Sequence, residues 1–253
     1  MILIIRLLPF LVGLLEAGLF WWQGSLPGTY PLLVVAGVIL LPLASGVIAW
    51  KQVRLGDLVE KMAPAFLLLA VLGFALLLSE GWWPRLLITA LAVVFSFLSL
   101  ELLFLLARDP GSYPVNGLSH LSLATVPLAV WYGVSTSAGL LVFLHSDGVW
   151  HVALCAVLGV VLFRTTGHPG ATRQQNNIWL IIGGILGTEI GLLGLLLPVS
   201  LPAQGLIAAL LFCSVLRVRR YLYEPRPSRK VAWTEGLLAL LSLIVTLASA
   251  KWL

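Results

Sequence analysis

The chain has 253 residues, of which 60% are hydrophobic and 10% charged, with 15 basic and 10 acidic side chains, a net charge of +5 and a mean hydropathy of +1.06. An ordinary soluble domain is about 25% charged, so these few charges cannot clothe a soluble surface of this size, and a soluble enzyme or a nucleic-acid-binding domain is excluded. Two cysteines are too few for a disulfide scaffold.

A bilayer core about 30 Å thick takes about 20 apolar residues in helical form. Runs of that kind, bounded by charge, Pro/Gly or Trp/Tyr, lie at 2–22, 30–50, 62–78, 86–107, 118–144, 149–163, 178–197, 201–216 and 231–253. The reading is an all-α polytopic bundle of about nine transmembrane helices, within a range of eight to ten, forming one domain over 1–253 with no soluble module. The first run is too long for the apolar region of a signal peptide, has no positive segment ahead of it and no clean A-x-A site after it, and is read as a retained helix. The fifth carries Pro127 and the run Gly133-Val-Ser-Thr-Ser-Ala-Gly139 and is expected to be kinked, or split with a re-entrant piece.

Orientation follows from the basic residues, which collect in cytoplasmic loops. With the N-terminus inside, Arg6, Lys51, Arg54, Lys61, Arg108, Arg164, Arg173, Arg217, Arg219, Arg220, Arg226, Arg229 and Lys230 all face inward, leaving only Arg85 and Lys251 outside. The C-terminus is then outside. The expected location is a bacterial cytoplasmic membrane. Trp21, Trp22, Trp50, Trp82, Trp83, Trp150 and Trp252 fall at span ends and read as an interfacial belt.

Four glutamates stand inside the spans: Glu16, Glu101, Glu189 and Glu235. An acid near a helix centre costs roughly 2.5–3.5 kcal/mol on insertion scales, so each needs protein or water around it. At about 1.5 Å per residue, Glu189 lies about 16 Å from the inner edge of its helix and Glu16 about 9 Å from the outer end of its own, while Glu101 and Glu235 lie about 9 and 6 Å inside the inner face. Graded in this way they are candidates for a proton or substrate pathway, or alternatively for hydrogen bonds between helices. Arg6 and Glu16 are about 15 Å apart along one helix and cannot pair, so Arg6 is expected to snorkel to the inner headgroups.

In the seventh span Gly183, Gly187 and Gly191 repeat every four residues, a glycine-zipper spacing that permits close helix contact. Glu189 points about 200° away from Gly187, so the helix is expected to be central, with both faces covered by protein. The ninth span carries a small and polar stripe, Glu235, Ala239, Ser242, Thr246 and Ser249. A faint repeat, Glu16-Ala-Gly-Leu before Ser25-Leu-Pro27 and Glu189-Ile-Gly-Leu before Ser200-Leu-Pro202, pairs residues 2–83 with 178–253. It makes Glu16 and Glu189 equivalents, as in transporters built from repeats.

His145, Asp147 and His151 lie close in sequence, but their spacing matches no metal-site pattern; they are weak metal candidates, and the reading names no metal and no cofactor. The run from Arg217 to Lys230 could attract anionic lipid or a cytoplasmic partner. No catalytic motif is legible: there is no H-E-x-x-H, no G-x-S-x-G and no P-loop. Two functional readings lead, ahead of a third, an intramembrane enzyme acting on lipid, for which no nucleophile or metal constellation is legible. One is a small permease or proton-linked transporter using the glutamates. The other is a non-catalytic structural or scaffold subunit, in contact with partner subunits or with further copies of itself.

Overall fold

The computed structural model describes residues 2–25, 30–166, 172–223 and 229–249. Among them are nine helices and no β-strand: α1 (Ile2–Ser25), α2 (Tyr30–Ala49), α3 (Leu55–Leu77), α4 (Trp82–Arg108), α5 (Gly117–Leu144), α6 (Gly148–Thr165), α7 (Arg173–Leu196), α8 (Leu201–Tyr223) and α9 (Arg229–Ser249). Eight are long and apolar enough to cross a membrane, and α2 contributes a shorter apolar stretch over Val35–Ala49. This is the build of a multi-pass helical membrane protein, in which backbone polar groups are satisfied within each helix.

Several helices outrun the apolar runs, because a helix continues where its backbone can, not where hydrocarbon ends. α3 begins at Leu55, ahead of the expected Met62, with Asp57 in its first turn, where an acid favours the positive end of the helix dipole. α7 begins at Arg173 behind a capping box: Gln175 N donates to Thr172 Oγ1 at 3.3 Å and Thr172 N to Gln175 Oε1 at 2.8 Å. α8 carries on past Leu216 to Tyr223, since arginine is a good helix former. α5 corrects the expectation of a split or re-entrant segment, running as one helix through Pro127 and the small-residue run after it.

The chain divides into two compact units, Met1–Ala129 and Val130–Leu253, with the boundary inside α5. In the first, α1 lies antiparallel on α4, with Phe10 against Phe97 at 4.8 Å and Gly13 beside Val93. α2 packs on α1, α3 and α4. Two polar ties join these helices: Gln23 donates to the Gly73 carbonyl of α3 at 3.0 Å, and Arg108 Nε to the Ile48 carbonyl in the last turn of α2 at 3.2 Å. Leu41, Met62, Leu72, Leu100 and Leu103 form a core with no exposed surface.

In the second unit, α6 and α7 form an antiparallel pair in backbone contact. A Cβ on Gly183 would lie 2.7 Å from the Gly159 carbonyl oxygen and one on Gly191 2.8 Å from Val152 Cα, while one on Gly187 would overlap the Cys155 carbonyl. Gly205 of α8 lies equally close to Trp131 and Ser135 of α5. α9 packs on α8 and leaves most of its surface open, Trp233 and Leu237 included. Its least exposed described positions are Glu235, Ala239, Leu243, Thr246 and Leu247, three of them in the expected stripe; Ser242 is exposed, and the side chain of Ser249 lies outside the described residues.

α7 is not the central helix that its two demanding faces suggested. α6 alone fills the glycine side, and on the opposite side Ile181, Ile185, Glu189 and Leu192 are exposed. The tryptophans Trp21, Trp22, Trp50, Trp82, Trp83 and Trp150 are all exposed near helix ends, as an interfacial belt requires, while Trp252 lies outside the described residues.

Candidate functional site

The four glutamates meet four different surroundings. Glu16 of α1 has no exposed surface. The Ser96 hydroxyl of α4 faces its carboxyl, yet neither oxygen reaches hydrogen-bond geometry with any described group. A buried polar group left unpaired normally costs about 1–3 kcal/mol, so such an arrangement persists only where packing or function maintains it. α4 offers this surface through a buried stripe of small and polar residues, Thr89, Ala92, Ser96 and Ser99, at helical spacing along the side toward α1 and α2.

Glu101, nearer the other end of α4, is partnered. Arg6 Nη2 lies 3.1 Å from its Oε1, and the guanidinium stands 4.9 Å from the Phe104 ring centre. Arg6, about half exposed, thus has a helix neighbour as well as open surface, and Glu101 keeps one buried oxygen, Oε2, without a partner among the described residues.

Glu235 is likewise engaged, accepting a hydrogen bond from Tyr221 and lying 3.7 Å from Arg217, both on α8. These contacts hold the start of α9 to the end of α8. Glu189 has an opposite setting to Glu16, despite the shared Glu-x-Gly-Leu pattern: it is exposed on the outer side of α7, beside Thr188 and Gly184.

The histidine cluster does not assemble. His145 sits just past the last residue of α5 with φ of 51°, a left-handed position that ends a helix, and both it and Asp147 are exposed. His151 turns the other way and is buried; the Ser137 backbone faces its ring, but neither ring nitrogen reaches hydrogen-bond geometry with a described group. Among the described residues no three His, Cys, Asp or Glu side chains come together as a metal site. His151 instead lies beside Gly194, as does the unpaired Oε1 of Gln204. The Gln204 amide nitrogen points to the carbonyls of Gly194, Leu197 and Val199 at 3.2–3.3 Å, which closes the turn between α7 and α8. A cavity of about 20 Å³ adjoins it, lined by Val134, Ile190, Gly194, Gln204 and Ile207 among others. Cys155 is one helical turn from His151 and faces Ser137, and both cysteines of the chain are free thiols.

The basic run is divided by the fold. Arg217 bonds Glu235, residues 224–228 lie outside the described residues, and Arg219 is buried. Its two terminal nitrogens donate to the Phe163 carbonyl at 2.7 Å and to Asn176 Oδ1 at 2.9 Å, and the guanidinium stands 5.5 Å from the Trp179 ring centre. Trp179 in turn donates to the Tyr223 hydroxyl at 3.0 Å. Arg219 therefore pins α8 to α6 and α7 and is not available to lipid.

Sequence reasoning missed Ser96, Gln204 and the inward turn of Arg219. The last had a signal: Arg219 is seven residues after Phe212 and so shares its face with the buried Gly205 and Ala208.

These features define a multi-pass membrane protein whose first unit encloses a buried acid, Glu16, with no hydrogen-bond partner among the described residues. No protein-family model, no curated protein and no solved structure matches the chain.

Proposed function

We propose that the chain is a small permease of the cytoplasmic membrane, N-terminus inside, that moves a solute together with a proton carried by Glu16. Glu16 supports this reading more than any other residue: its carboxyl is wholly buried in a membrane helix, facing the Ser96 hydroxyl and in hydrogen-bond geometry with no described group. An intramembrane acid defaults to a functional role, and in a dry site the neutral, protonated acid is the form that can be kept. Releasing that proton requires water to reach the site, which a rocking of helices about α1 and α4 would provide. Glu101 and Glu235, already occupied by Arg6, Tyr221 and Arg217, act in helix packing, and no residue is given a catalytic role. The basic inner ends of the helices would favour an anionic leaflet.

The test is proton movement itself. Purified protein is reconstituted in liposomes with an entrapped pH-sensitive dye, and a potassium diffusion potential is applied with valinomycin. Glu16→Gln should reduce protein-dependent proton flux at least tenfold while elution profile and helicity stay as in the parent. Equal flux in parent and variant would remove Glu16 from the mechanism.

The subunit reading has one observation in its favour, the outward position of Glu189, which calls for a protein neighbour.

A further inference from the structure

Glu189 stands on the exposed side of α7, within the apolar span Gln174–Leu196. Charge or an open polar group facing hydrocarbon at that depth is disfavoured, and such residues normally face protein or water. The surface around it is not smooth. Two hollows of about 530 and 680 Å³ lie along the α6–α7 pair and share Ala156 and Thr188, so they form one trough. Its floor is made of small residues, Ala156, Gly184 and Thr188, while Ile181 and Ile185 stand exposed beside it. Gly184 and Thr188 are four residues apart, the spacing at which small residues let membrane helices approach closely. The Gly183, Gly187 and Gly191 seam cannot serve this purpose, because α6 already occupies it.

We propose that this face is the interface of a homodimer, occupied by a second copy of the chain, with the two Glu189 carboxyls hydrogen-bonded to each other. The choice of occupant rests on depth and on chemistry. Two copies inserted in the same sense carry Glu189 at the same depth, and a two-fold axis along the membrane normal then brings the residue opposite itself. A protonated carboxyl is at once donor and acceptor, so it is its own complement and two of them close a pair of O–H···O bonds. The basic residues of the chain lie toward helix ends, so no other face of a second copy supplies a cation at that depth. The contact is isologous and closes at two copies.

Cross-linking in liposomes tests the interface on the full chain. Ile185→Cys, at the edge of the trough, should form a covalent dimer under mild oxidation. Leu238→Cys, equally exposed but on α9, should give no more than the parent with its native Cys155 and Cys213. The monomer–dimer equilibrium is then followed by energy transfer between labelled copies. Glu189→Leu, which suits lipid and should fold, is expected to raise the dissociation constant roughly tenfold. Glu189→Gln, whose amide also donates and accepts, should dimerise like the parent. Equal cross-linking at 185 and 238, unchanged association in Glu189→Leu, or a different protein in the cross-linked band from native membranes would each overturn the proposal.

Discussion

Arg6 on α1 and Glu101 on α4 meet at 3.1 Å across an antiparallel helix pair, with the Phe104 ring beneath the guanidinium. The pair sets the register in which Glu16, further along α1, comes to lie against Ser96. Arg6 is about half exposed, so the contact is not a deeply buried ion pair. Polar contacts between membrane helices are worth about 0.6 kcal/mol on average and up to about 1.7. A double-mutant cycle with Arg6→Gln and Glu101→Gln, read by equilibrium unfolding in mixed micelles, should therefore give a coupling of about 0.5–2 kcal/mol. The exchanged pair, Arg6→Glu with Glu101→Arg, should recover part of the loss. A coupling of zero would mean that the two charges are merely neighbours.

That the chain is a helical membrane protein was legible because composition and span length act residue by residue, with no need for tertiary contacts. Helix ends were less so: an apolar run reports where hydrocarbon begins, while Arg217 to Tyr223 and Leu55 to Lys61 continue a helix beyond it. The spacing of Gly183, Gly187 and Gly191 marked a close contact but not the partner, and α6 proved to be the helix against it. The glutamates could be placed in depth but not in azimuth relative to neighbours. Glu16 and Glu189 share a local pattern and have opposite exposure for that reason. Gln204 gave no signal at all, since its role depends on the carbonyls of a turn that only the fold creates.

The α6–α7 contact makes a graded prediction for glycine substitutions. A methyl group at Gly187 overlaps the backbone of Cys155, and one at Gly183 meets the Gly159 carbonyl and the Phe163 ring within 3 Å. Backbone cannot yield as a side-chain tip can, so Gly187→Ala and Gly183→Ala should each cost about 1–3 kcal/mol by overpacking, or more. Gly18 and Gly236 have nothing within 4 Å of a Cβ, and alanine there should be neutral or stabilise by about 0.5–1 kcal/mol through helix propensity. If unfolding measurements ranked the four variants alike, the close approach of α6 and α7 would be wrong.

Gln204 and His151 are both polar and inward-facing, yet they should respond oppositely to replacement. The two N–H groups of the Gln204 amide are shared among three carbonyls in the α7–α8 turn, and Gln204→Leu takes that donor from Gly194 and Val199, while Leu197 keeps the Val199 N–H at 2.8 Å; the loss should be about 1–3 kcal/mol. His151 has the Ser137 backbone facing its ring, but neither ring nitrogen reaches hydrogen-bond geometry with a described group, so His151→Phe gives up little and should be neutral or stabilising. A His151→Phe variant less stable than Gln204→Leu would imply that the imidazole has a partner in the folded protein.

Arg219 is the last polar anchor and the one where sequence pattern and chemistry pull apart, because a cation in a basic run is ordinarily solvent-facing. Among the described residues no carboxylate accompanies it; a carbonyl, an amide oxygen and two aromatic faces receive the guanidinium instead. Arg219→Met keeps much of the packing stem but leaves Phe163 O and Asn176 Oδ1 without a donor, which should cost about 1–3 kcal/mol. Arg219→Lys retains the charge, but a single ammonium cannot fork to two acceptors while lying flat on Trp179, so it should fall below the parent as well. If charge alone mattered, lysine would match arginine; if burial alone mattered, methionine would match or exceed it. A stability order of arginine above both replacements, measured by the same unfolding assay, is the outcome that the forked geometry requires.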